Sequence, residues 1–329
     1  MTHAMEFVAA DEYMHTPTED SNFNESAFYD FFTADGSFAF LVRIGNRANE
    51  GHAEVTVLGF LPDGRAFFHF ERATIENNDA FDAAGLRFDV IEPLKRNRVR
   101  FSGQVHVLAN ADELENPKKV FTESPLEHLE LNFEYEDLIP MYGVDSIAGD
   151  KAASVLSTAH YQGPTKAHGT WSWGGKSESL SGFGFRDHSW GPRQWNAPQY
   201  WRWVSGIADE NNFFEGFRWK IDGENPPDFG IVSIDGRVSF FDRVDFSTTY
   251  GPAPYYPETV TMTLHTPEGP VEVTGEQIHL APLRHRKGEH VARIARSVFR
   301  CQFAGHTTIG WSEYHDQVID GRPIGMSEA

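Results

Sequence analysis

The chain has one cysteine, Cys301, in 329 residues. A single thiol excludes an intrachain disulfide framework and a cysteine-based zinc centre, and it fits a reducing compartment. We read it as a small core residue. A basic surplus is also missing. With 28 Lys and Arg against 48 Asp and Glu, the formal net charge is -20, which argues against nucleic acid and anionic membrane surfaces as partners. No stretch is apolar for long enough to span a bilayer, so no stable membrane insertion is expected. The first twenty residues lack the basic flank and apolar run of a secretory signal, and the expected location is cytoplasmic. Around Gly182-Phe183-Gly184 there is no strand-turn-helix context for a dinucleotide, and neither a phosphate loop nor Gly-x-Ser-x-Gly occurs. Dehydrogenase, kinase and serine-hydrolase readings fall with them. The 15 histidines include no His-x-x-x-His pair, and His279, His285 and His290 sit among Arg284, Arg286 and Lys287. No metal and no organic cofactor are therefore expected.

What the chain does have is aromatic alternation: 27 Phe, 10 Tyr and 8 Trp, mostly within short β-branched or aromatic runs. Asp-Gly, the dipeptide that accepts the positive φ of a tight hairpin, recurs at 35–36, 63–64, 222–223 and 235–236. No convincing long amphipathic helix precedes residue 140. Many short strands joined by tight turns close into barrels or sandwiches, and a barrel of about eight strands can hold one small ligand. The expected class is all-β and antiparallel. Residues 1–22 read as an N-terminal arm without periodicity. The small, polar segment 145–157 reads as a boundary, giving a first domain at 23–150 and a second at 151–329.

Residues 182–195 concentrate an acid, an imidazole, two guanidinium groups and two indoles. As a strand, this segment points Phe183, Phe185 and Asp187 one way and Arg186, His188 and Trp190 the other. A carboxylate on an apolar face has its charged form disfavoured, which raises its pKa and suits it to donate a proton near neutral pH. The competing reading is structural: Asp187 pairs with Arg186 or Arg193, His188 is a satisfied core histidine, His168 is exposed, and the tryptophans pack. In the first half, Asn24, Tyr29, Asn46, Arg47 and Glu50 are candidates to face a cleft, although turn chemistry accounts for the segment from Asn46 onward.

The run from Ala159-His160-Tyr161-Gln162-Gly163 through His168-Gly169-Thr170-Trp171 to Gly184-Phe185-Arg186-Asp187-His188-Ser189-Trp190-Gly191-Pro192-Arg193 resembles a tandem lipocalin-like family. That family includes the carotenoid 1,2-hydratases (hydroxyneurosporene synthases) and the AttH-type proteins. Ile44-Gly45-Asn46-Arg47-Ala48-Asn49-Glu50-Gly51 and Val90-Ile91-Glu92-Pro93-Leu94-Lys95-Arg96 are similar to its bacterial members. The resemblance implies two tandem lipocalin-like antiparallel β-barrel domains, and a water-adding reaction that uses no metal or organic cofactor. It matches Asp187 to the family's aspartate and approximates the family's histidine and tryptophan by His168 and Trp171, one residue further apart. Phe185 stands where the family has a tyrosine.

Adding water to an unactivated alkene passes through a carbocation. It requires an acid in an apolar pocket, aromatic faces near the developing charge and a base for the water. Asp187 is the acid candidate and His168 or His188 the base. Trp171, Trp190, Trp201 and Trp203 are candidate walls, and Phe185, Arg193 and Tyr161 complete the expected binding set. The resulting expectation is an acid-base hydratase, dehydratase, isomerase or lyase acting on an isoprenoid, steroid or aromatic small molecule. A non-catalytic carrier of an apolar ligand and a polyene cyclase are the alternatives, and the sequence leaves the oligomeric state open, a homodimer included.

Overall fold

The structure is a computed structural model that describes residues 7–145, 157–195, 197–221, 226–251, 256–287 and 290–328. Its elements are strands almost throughout, as the alternation requires, and the chain divides into two compact units, one ending at Gln194 and the other running from Trp195 and including the turn Ala34–Gly36.

In the first unit the strands are β1 (Phe23–Phe32), β2 (Ala39–Arg47), β3 (His52–Phe60), β4 (Ala66–Thr74), β5 (Asp82–Ala83), β6 (Leu86–Glu92), β7 (Arg96–Leu108), β8 (Leu126–Asp137), β9 (Tyr142–Asp145), β10 (Ala159–Trp173) and β11 (Lys176–Pro192). They pair antiparallel in the order β4-β3-β2-β1-β11-β10-β8-β7. The register Ala66↔Leu108, Phe67↔Val107, Phe68↔His106 joins β4 back to β7 and closes an eight-stranded barrel. The interior takes Ala27, Tyr29 and Phe31 from β1, with Phe40, Val42, Phe101, Phe133 and Ala167 from neighbouring strands. Phe31 stacks on Phe40 at 5.3 Å and lies 4.8 Å from Phe133, so aromatic rings fill the middle of the lumen.

This unit extends past the expected boundary at 150/151. Strands β10 and β11 lie between β1 and β8, and without them those two strands would keep open edges. Residues 146–156, most of the expected boundary segment, fall outside the described residues, as do residues 1–6 of the expected arm. The described part of the arm is not free: it forms a 3-10 turn at Ala9–Glu12 that buries Glu12.

The second unit contains β12 (Pro198–Asp209), β13 (Asn212–Ile221), β14 (Phe229–Ile234), β15 (Arg237–Phe241), β16 (Val244–Tyr250), β17 (Pro257–Thr266), β18 (Gly269–Lys287), β19 (His290–Phe303), β20 (His306–Ile319) and β21 (Arg322–Pro323). The order is β15-β14-β13-β12-β20-β19-β18-β17-β16, again antiparallel. No pairing joins β15 to β16 among the described residues, so this barrel is not closed by hydrogen bonds. Its core collects Val204, Phe214, Met262, Phe299, Cys301 and Tyr314. Cys301 is buried there as expected, and burial pushes its thiol up to about 12. The hairpin at Asp235-Gly236 has positive φ at both residues, 52° and 76°, as a type I′ turn demands. The expected turn at 222–223 lies outside the described residues. The fold is thus all-β, with two lipocalin-like antiparallel barrels in tandem.

Candidate active site

The register Ala27↔His188, Tyr29↔Arg186 and Tyr161↔His188 places β1, β11 and β10 side by side. Residues two apart share a face, and Ala27 and Tyr29 belong to the barrel core. Arg186, His188 and Trp190 therefore point inward with Glu25 and Tyr161, while Asp187 and Phe185 point outward. The alternation read from the sequence holds, and its consequence is chemical: Asp187 and His188 are sequence neighbours on opposite sides of the barrel wall.

The inner face carries two joined networks. Arg186 is fully buried and donates to Glu12 from Nη1 (2.8 Å) and Nη2 (3.0 Å), and to Asp137 from Nε (2.7 Å) and Nη2 (2.7 Å). Burial raises the Asp137 pKa, opposed by Arg186, and these carboxylates keep the guanidinium charged despite its own burial. Beside it, His188 Nε2 lies 2.9 Å from Glu25 Oε1, and the Tyr161 hydroxyl lies 3.0 Å from His188 Nδ1. His15 adds Nδ1 at 2.7 Å from the same Glu25 oxygen, and its ring stacks on Trp190 at 3.8 Å. The other oxygen of Glu25 accepts from Asn78 Nδ2 (2.6 Å) and the His15 amide (2.9 Å). Burial alone would raise the Glu25 pKa, but the bonds from His15 and His188 outweigh it and hold the carboxyl down at about 2. One ligand atom each from His15, Glu25 and His188 lies within 4.8 Å of the others, close enough to share a metal ion.

The outer face of the same three strands is a second chemical surface. Its rows run His160, Ser189, Ser26; then Gln162, Asp187, Phe28; then Pro164, Phe185, Asp30. Ser26 and Ser189 hydroxyls meet at 3.2 Å, and Arg193 Nη2 donates to Ser189 Oγ at 2.9 Å. Burial first, and then the Arg193 guanidinium, pushes the His160 pKa down to about 3, so its ring is neutral across the physiological range. Asn24, on the same outward parity of β1, is buried with neither amide atom hydrogen-bonded among the described residues.

The expected site residues therefore divide. Phe185 is buried beside Asp187 on the outer face, and Arg193 reaches that face at Ser189. Tyr161, His188 and Trp190 share the inner face. His168 is exposed, eight residues along β10 from His160, or roughly 26 Å of strand. The structure does not bring it to Asp187, and its exposure agrees with the structural reading. Trp171 packs on Phe38 (4.7 Å) toward the other end of the first barrel. Trp201 and Trp203 belong to β12 in the second unit, where Trp201 stacks on His315 at 3.9 Å and donates to Glu313 Oε1 at 2.7 Å. His315 is fully buried, and neither ring nitrogen has a hydrogen-bond partner among the described residues.

Glu12, His15, Glu25, Asp137 and His160 were not singled out in the sequence. Glu25 had a weak signal, a carboxylate just ahead of the aromatic run Phe28-Tyr29 and Phe31-Phe32. Glu12 and His15 had none, because the arm has no periodicity.

Residues 8–318 match one family model, described as a domain of unknown function, DUF7064. No curated protein matches the chain. Among solved structures, the chain is similar to a protein described as an AttH from Nitrosomonas europaea, with a TM-score of 0.63 at 16% identity over 96% of this chain and 98% of that one. It is also similar to CghA (TM-score 0.57, 11% identity, 92% and 90% covered) and to kievitone hydratase from Nectria haematococca (0.55, 10%, 95% and 93%). At these identities the likeness is one of fold, and it bears out the AttH side of the resemblance at that level.

Proposed function

The chain belongs to the DUF7064 family, whose description carries no reaction, and from the site itself we propose a cofactor-independent acid-base enzyme acting on an apolar small molecule. The reaction class is hydro-lyase, running as hydratase or dehydratase, or isomerase. The observation that carries this reading is the placement of Asp187 and His160 on one face. They are diagonal neighbours across the β10–β11 pair, with Cβ atoms about 7 Å apart, which leaves room for a substrate carbon or a water between them. Phe28 and Phe185 flank the carboxyl group with apolar surface. His160 is neutral and offers a ring lone pair to orient the water and take its proton as the carbon–oxygen bond forms, while Asp187 supplies a proton to carbon. Asn24, with both amide atoms open, is a ready partner for a substrate oxygen. His160 thus takes the role that the sequence offered to His168 or His188.

Two neighbours of the same fold support the class: one is named a hydratase, and CghA has been solved with Sch210972 bound. Isoprenoid, steroid and aromatic skeletons are the candidate substrates. Asp187→Asn is expected to lower kcat by about 10²-fold or more with KM little changed, the loss that follows removal of a positioned proton donor. His160→Phe, which keeps the ring, is expected to do likewise. Steady-state kinetics of both variants test the assignment. Undiminished kcat in Asp187→Asn overturns it.

A further inference from the structure

The inner cluster plays no part in that chemistry, and it gathers three ligand atoms within 4.8 Å of one another. The side chains of Glu12, Glu25 and Asp137 are all at most 3% exposed, yet Arg186 is the one guanidinium or ammonium bonded to them among the described residues. Arg186 takes Glu12 and Asp137, leaving Glu25 to the two imidazoles.

We infer that His15 Nδ1, His188 Nε2 and a Glu25 oxygen form a binding site for one divalent transition-metal ion of the zinc or ferrous class. Two imidazoles and one carboxylate suit such ions and not calcium or magnesium, which favour all-oxygen sites. The two nitrogens lie 2.7 and 2.9 Å from one carboxylate oxygen. That is slightly tighter than the roughly 3.3 Å between ligand atoms of a tetrahedral ion bound at about 2.0–2.1 Å. The outer partners needed to orient these ligands are in place. With Nε2 on the ion, His188 carries its proton on Nδ1 and donates it to the Tyr161 oxygen, 3.0 Å away. The second Glu25 oxygen is held by Asn78 and by the His15 amide, and Asn78 Oδ1 in turn accepts from Asn46 at 3.1 Å. Trp190 fixes the plane of His15. The His15 side chain is 23% exposed, which opens a route for the ion from the arm side. Three protein ligands leave a position for water.

The spacing rules applied to the sequence miss this set because its members are 10 and 163 residues apart and come from an arm and two strands.

The test is calorimetric titration of chelator-treated protein with Zn2+ and, separately, Co2+, the latter followed by visible absorption. Wild type is expected to bind one equivalent of each. His15→Ala and Glu25→Gln are expected to lose stoichiometric binding, and Tyr161→Phe to weaken it about 10- to 100-fold. His15→Ala alters a partly exposed arm residue and leaves the barrel strands intact, so a thermal melt close to wild type separates lost ligation from lost fold. Asp187→Asn is expected to bind like wild type, which keeps the fate of this site distinct from that of the outer face. Absence of equimolar binding by wild type, or unchanged binding in both His15→Ala and Glu25→Gln, overturns the inference.

Discussion

Three side chains show how environment sets chemistry at the scale of the residue. Glu25 remains ionised in a buried site because the bonds from His15 and His188 outweigh its desolvation. With a folded pKa of about 2 against an ordinary 4.5, it contributes stability that is complete above pH 4.5 and lost as pH falls toward 2, about 3 kcal/mol in all. Glu25→Gln should remove that acid-dependent portion, and chemical denaturation at pH 7 and pH 3 measures it: the gap between wild type and variant should shrink at the lower pH. His315 is the opposite case, a buried imidazole whose pKa is pushed down to about 3 by burial first and then by Arg202 and His285. Its unfolded pKa is near 6.5, so protonation favours the unfolded chain as pH drops from 6.5 to 3, a loss of about 4–5 kcal/mol. His315→Phe keeps a ring to stack on Trp201 and removes two unpartnered buried nitrogens. It should raise stability at pH 5 by more than at pH 8, and denaturation at the two pH values checks the sign. His160 completes the set, with its neutrality at working pH also fixed by burial.

At the scale of the element, the β1–β11–β10 ribbon carries both candidate sites, because one strand spacing serves two faces. The sequence of β11 already contained that division, since a period of two assigns Asp187 and His188 to opposite sides whatever they pack against. It did not contain the partners. Glu12 and His15 reach the ribbon from an arm without pattern, and His160 looked no different from any other histidine in a strand. Close backbone approach also matters here. A Cβ placed on Gly184 would lie 2.0 Å from the Asp30 carbonyl oxygen across the β1–β11 pair. Backbone cannot yield as a flexible side chain can, so Gly184→Ala is expected to cost about 1–3 kcal/mol and to loosen this pairing. Amide exchange at Phe185, whose N–H donates to Asp30 Oδ1 at 2.8 Å, reports it as faster exchange than wild type.

For the whole molecule, the all-β class and the Asp-Gly hairpins at 35–36, 63–64 and 235–236 were legible from composition and turn chemistry. The division at Gln194 was not, because which strands close a barrel depends on long-range pairing that a local change of composition does not report. The polar segment near residue 150 interrupts the chain, and β10 and β11 beyond it return to pair with β1 and β8. No helix among the described residues is long and apolar enough to cross a membrane.

The central claim, that the outer face of β10 and β11 transfers protons to a bound apolar molecule, is tested most directly by native mass spectrometry. The purified protein is exposed to a lipid extract, and any captured compound is then incubated with wild type and with Asp187→Asn. The account predicts that both proteins bind the compound and that only wild type converts it, either by a mass shift of one water or to an isobaric isomer. A compound bound and released unchanged by both proteins would contradict the claim and make the chain a carrier.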